Sequence, residues 1–202
     1  MVANGRTPLH IVTDWPGYYP HGPAIAQALI DAGADVDARG LGPKAETPLH
    51  WTASSDDVDV ADVLIDAGAD IEAGGGSIGT PLDNSIGYGC WHVARRLVAH
   101  GAAVDKLWQA AALGDLPRLS QLLDADPAPT STDINEAFWQ ACHGGQLRAA
   151  HLLLDRGADI GAVPDYAAGG TILDITTGPD TRRDQLCAWL TAHGAAPPVI
   201  EP

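Results

Sequence analysis

Apolar residues along this chain fall in short clusters at helical spacing, and most clusters close on a glycine. Val60, Val63, Leu64 and Ile65 lie on one helical face, and Gly68 follows. Glycine there takes the left-handed conformation that a helix C-terminus favours. Just upstream, Thr47-Pro48-Leu49-His50 has the form of a helix start. Thr47 serves as N-cap, and Pro48 takes the first helical position, where its missing N–H costs nothing. Residues 46–73 are thus predicted to form two short helices and a turn.

The same phrase recurs. Thr7-Pro8-Leu9-His10 opens an earlier copy that closes at Gly33, and Thr80-Pro81-Leu82-Asp83 opens a later one that closes at Gly101. Further copies end at Gly157 and Gly194; between them and Gly101 lies a unit ending in Asp124-Ala125-Asp126-Pro127 without the glycine. Six units result, at roughly 4–39, 40–73, 74–104, 105–132, 133–162 and 163–196. Aligning Gly114 with Gly145 puts Trp108 and Trp139 in the slot that His10 and His50 fill. Long connectors precede the second, third and sixth units: Gly40–Ala45, the glycine-rich Gly74–Gly79, and Val163–Gly170. A Pro-rich tail, Pro197–Pro202, ends the chain.

Thr-Pro-Leu-His opening a helix–turn–helix unit of this length resembles the ankyrin repeat. The resemblance implies an all-α solenoid, one domain over residues 1–202, with about six stacked helix–turn–helix repeats and hairpin-like finger loops. Each repeat buries its apolar face only against its neighbours. It also implies that His10 and His50 hold the fold by hydrogen bonds within and between repeats, and that the Gly-Ala-Asp phrases at 33–35, 68–70 and 157–159 are turns.

Composition narrows the partners. A formal net charge of −15 argues against nucleic acid and anionic membranes and leaves basic proteins, cations and small molecules. No run of about 18 apolar residues occurs, and no basic-then-apolar leader opens the chain, so a cytoplasmic protein is expected. Cys90, Cys142 and Cys187 are odd in number and scattered, which favours thiols over a disulfide or zinc framework. By the repeat register, Cys142 and Cys187 fall on core positions. The histidines show no metal-ligand spacing, so neither metal nor cofactor is expected.

The aromatic residues carry the functional signal, since six Trp stand against one Phe. Residues 14–21, Asp-Trp-Pro-Gly-Tyr-Tyr-Pro-His, contain about five extra residues between the helices of the first repeat. Exposed rings in a loop need a packing partner or a ligand. Equivalent positions in adjacent repeats lie about 8–10 Å apart, so the spacing allows Trp15, Tyr18, Tyr19, Trp51 and Tyr88 to converge around His50 and Asp83, the alternative being local packing of the inserted loop. Trp108 and Trp139 are expected as core or groove-wall residues of later inner helices.

Two readings follow. The ankyrin resemblance implies a non-enzymatic scaffold that grips a protein partner with a basic or mixed surface on the concave face. Trp15, Tyr18, Tyr19, Trp51, Tyr88, Trp108 and Trp139 would be the anchors. The alternative is a small-molecule pocket under the Trp15–His21 loop, atypically catalytic, with Asp83 and His50 as acid and base.

Overall fold

The computed structural model describes residues 5–41, 44–176 and 181–197. Gly42 and Pro43 of the second finger, Asn4, and residues 198–202 of the Pro-rich tail lie outside the described residues. The described residues are helical with no strand. They form two compact units, Met1–Ala103 and Val104–Pro202.

In the N-terminal unit three helix pairs follow one another: α1 (Pro8–Val12) and α2 (Gly22–Asp31), α3 (Pro48–Ser55) and α4 (Val58–Asp66), α5 (Pro81–Gly87) and α6 (Trp91–Ala99). Pro8, Pro48 and Pro81 stand at the first helical position. The leucine after each proline (Leu9, Leu49, Leu82) is buried, as are Leu64 and Leu97 on the second helices.

Helices α2, α4 and α6 end alike. The amides of Gly33, Gly68 and Gly101 donate to Ile30, Ile65 and Val98, and those of Ala34, Ala69 and Ala102 donate to Leu29, Leu64 and Leu97. This double closure requires a left-handed residue, and the glycines sit at φ +89°, +88° and +96°.

The C-terminal unit holds α7 (Leu107–Leu113) with α8 (Leu116–Leu123), α9 (Ser131–His143) with α10 (Leu147–Asp155), and α11 (Thr181–Ala192). Gly157 and Gly194 close α10 and α11 as in the first unit. Phe138, Trp139, Leu119, Leu153, Leu186 and Leu190 form one buried cluster. In the last repeat the described residues before α11 carry only single-turn 3-10 helices, Asp165–Ala167 and Asp174–Thr176. The turn at Asp174 is fixed by its carboxylate, which accepts the Thr171 N–H at 2.6 Å and the Thr171 hydroxyl at 2.8 Å.

The alignment of the fourth repeat needs correcting. Trp108 does not do the work of His50. Gln109 Oε1 accepts the N–H groups of Asp105 and Lys106, each at 3.0 Å, which is the helix-start role that His50 plays for Thr47. The interval between successive helix N-caps is 47 to 57 in the second repeat and 106 to 115 in the fourth. The shorter inner helix moves the capping slot by one residue when repeats are aligned from their ends. Cys142 is buried in the core and its thiol is pushed above its ordinary range, and Cys187, half-buried, packs against the same core.

Candidate functional site

His10 and His50 are wholly buried, so their roles can be read from their bonds. Nδ1 of His50 lies 3.2 Å from the Thr47 N–H, which can only donate, so this nitrogen carries no proton. It therefore also accepts from the Thr47 hydroxyl at 2.8 Å, and Nε2–H donates to the Gly79 carbonyl at 3.1 Å in the next repeat. His10 repeats the arrangement, with the Thr7 N–H at 3.1 Å and the Glu46 carbonyl at 3.0 Å. Burial depresses the pKa of both rings, partly offset by the bond to the carbonyl. Asp83 occupies the same slot in the third repeat, fully buried, with Oδ2 accepting the Thr80 N–H at 2.8 Å. The two acid–base candidates thus serve as helix caps.

The inserted loop is fastened to the second repeat. The Tyr18 N–H donates to Asp57 Oδ2 and the Tyr18 hydroxyl donates to the Asp56 carbonyl at 2.6 Å. Gly17 passes so close that a Cβ there would stand 3.1–3.2 Å from Ser55 and Asp57. Asp57 also caps α4 through the Val60 N–H, and Asp56 caps α6 through the N–H groups of His92 and Val93. One two-residue turn therefore ties three repeats together.

With the loop held there, Trp15 comes beside Trp51 of α3 and Tyr88 at the end of α5. These three rings line an open hollow of about 210 Å³ with Arg6, Asp14, Glu46, Ser54 and Ser77. Trp15 is 75% exposed and Tyr88 53%. The Arg6 guanidinium lies 4.6 Å from the centre of the Trp51 ring, and His10 meets that ring edge-on at 5.2 Å. Arg6 also reaches the Asp14 carboxylate at 3.4 Å.

Glu46 organises the floor. Its Oε1 accepts the Ser77 N–H at 2.9 Å, the Ser77 hydroxyl at 2.8 Å and the Asn84 amide at 3.3 Å. The Tyr88 hydroxyl donates to Ser77 Oγ at 3.0 Å, extending the network to the rim. Burial acts to raise the pKa of Glu46, but the bonds from Ser77 and Asn84 together outweigh it and hold the carboxyl below its ordinary range.

The remaining expected anchors lie elsewhere. Tyr19 joins Ile11, Ile25 and Leu29 on a separate apolar dent. Trp108 is half-buried and lines an open hollow with Pro127 and Pro129 in the C-terminal unit. Trp139 is 3% exposed, so it packs the core and offers no surface to a partner. Sequence reasoning missed Arg6 and Glu46. The available signal was a charged residue directly before each Thr-Pro-Leu-His.

A family model described as "Ankyrin repeat" matches residues 4–41 and 46–75. The crystal structure of the human ASB11 ankyrin repeat domain aligns over 98% of this chain and 87% of its own, with a TM-score of 0.52 and 19% identity. This chain has the ankyrin-repeat fold, and its residues 4–75 carry the ankyrin repeats that the family model matches. At that identity the structural likeness speaks for the ankyrin fold alone. No curated protein matches the sequence. The described part of the ankyrin chain contains no group of three or more metal-ligating side chains and no helix long and apolar enough to cross a membrane.

Proposed function

We propose that this ankyrin chain is a binding scaffold that holds a protein partner through the face built by its first three repeats. Ankyrin repeats generally mediate protein–protein interaction, and the reading here rests on one observation. Trp15, Trp51 and Tyr88, contributed by three successive repeats, line a single open hollow. Exposed rings held on fixed supports are the usual anchors of an interface. The hollow is also smaller than the roughly 300–1,000 Å³ typical of small-molecule sites, which favours one side chain of a larger partner over a metabolite. Asp83 and His50 do not line it.

Affinity capture from the native host, with variants as bait, tests the reading. Trp15→Ala and Trp51→Ala should each weaken retention of the specific partner by about thirty-fold, the scale of an interface hot spot. Arg118→Ala, on α8 in the other unit, should leave it unchanged. Equal losses for all three variants, or no loss for any, would remove the proposal.

A further inference from the structure

The hollow already holds a cation of the chain's own. Arg6 lies over the Trp51 ring as a guanidinium does when it is attracted to the negative face of an aromatic system. Its grip is loose. The contact to Asp14 is 3.4 Å, well beyond the 2.7–2.9 Å of a strong charge-assisted bond, and both side chains are substantially exposed. Trp15 and Tyr88 flank the same space with ring surface open to solvent.

The charges around it are not balanced. Two carboxylates, Asp14 and Glu46, face one guanidinium. Every bond Glu46 accepts falls on Oε1, so Oε2 takes no donor among the described residues. An ionised acceptor left without a donor, beside three aromatic rings and on a chain of net charge −15, suits an incoming planar cation. An anionic partner paired with Arg6 would instead meet both carboxylates.

We infer that the hollow recognises an arginine side chain of the partner, stacked against the Trp15–Trp51–Tyr88 rings and paired with Glu46, and that Arg6 occupies this place until the partner displaces it. The inference rests on the proposed binding role and adds the chemistry of the contact.

The test is isothermal titration calorimetry of the full chain with an acetylated, amidated tri-arginine peptide, and with tri-lysine and tri-glutamate peptides of the same form. Tri-arginine should bind with saturation. Trp51→Ala should weaken it by roughly two- to thirty-fold, the range of a cation–π contact. Trp15→Ala removes an exposed side chain and should weaken it likewise without disturbing the fold. Arg6→Ala should bind tri-arginine more tightly than the unaltered chain, because no internal guanidinium competes.

Weaker binding in Arg6→Ala, tri-lysine binding as tight as tri-arginine, or a preference for tri-glutamate would overturn the inference. So would tri-arginine binding that neither tryptophan variant alters. Failure here with continued loss of the native partner in Trp15→Ala would refute the arginine assignment and leave the scaffold reading standing.

Discussion

The two units use bulky apolar side chains in opposite ways. In the C-terminal unit Phe138 and Trp139 are buried, and among the described residues the large hydrophobics left exposed are Val163 and Tyr166. In the N-terminal unit Ile11, Trp15, Tyr18, Tyr19, Ile25, Leu41, Ile78 and Tyr88 are all exposed, while the interior is built from Leu, Val, Ile and Ala with bonded His, Thr and Ser. One repeat plan therefore supports a unit whose rings fill the core and another whose rings are displayed. The units differ also in what closes the inner helices. Buried histidine caps the first two inner helices and Asp83 the third, while Gln109 and Asp133 cap those of the other unit.

The contrast can be broken most sharply at Trp139. Its replacement by Ala should cost about 3–5 kcal/mol, the range for deleting a large aromatic from a packed core. A shift of the urea midpoint followed by circular dichroism measures it. A cost under about 1 kcal/mol would mean that the ring is not a packing element.

Next in size is His50→Ala, which strips the Thr47 N–H and the Gly79 carbonyl of their partners. An unsatisfied buried group costs about 1–3 kcal/mol, so the loss should approach that of a core deletion although the side chain removed is polar. The same bonds carry a pH dependence. Folded His10 and His50 have depressed pKa values, so the unfolded chain takes up protons first as pH falls. Their contribution is fully present above the ordinary histidine value of about 6.5 and is lost as pH falls from there through the folded values. Denaturant midpoints at pH 7.5, 6.5 and 5.5 should decline, and the slope should shrink in His50→Gln. An unchanged slope would place the titration elsewhere.

Gly68→Ala should cost about 1–2 kcal/mol, the penalty of a left-handed residue with a Cβ. Nothing lies within 4 Å of the added atom, so strain alone is measured. Smallest of all, Trp15→Ala should change stability by no more than about 0.5 kcal/mol, as for other exposed sites. A larger loss would mean that the ring supports the loop rather than awaiting a partner.

Much of this was legible in the sequence because the signals were local. Proline at the helix start, leucine after it and a left-handed glycine at the end are each dictated by backbone geometry within one turn. The meeting of Trp15, Trp51 and Tyr88 followed from the spacing of adjacent repeats. Tyr18 and Tyr19 could not be placed that way. Gly17 and Tyr18 both take positive φ, +74° and +54°, and this turn sends the two tyrosines off in other directions. The role of Gln109 was hidden by a helix one residue short, although a glutamine three residues after the N-cap is itself a capping signature. Glu46 escaped notice because its three donors come from Ser77 and Asn84, distant in sequence and close only once the repeats stack.

The histidine bonds give the N-terminal unit a sense of direction. His10 donates a hydrogen bond to the Glu46 carbonyl, just before Thr47, and His50 donates one to the Gly79 carbonyl, just before Thr80. In the third repeat Asp83 takes the capping place that histidine holds in the first two, its Oδ2 accepting the Thr80 N–H. Damage to His10 or His50 therefore frees the start of the repeat that follows, and unravelling along this unit has a built-in polarity.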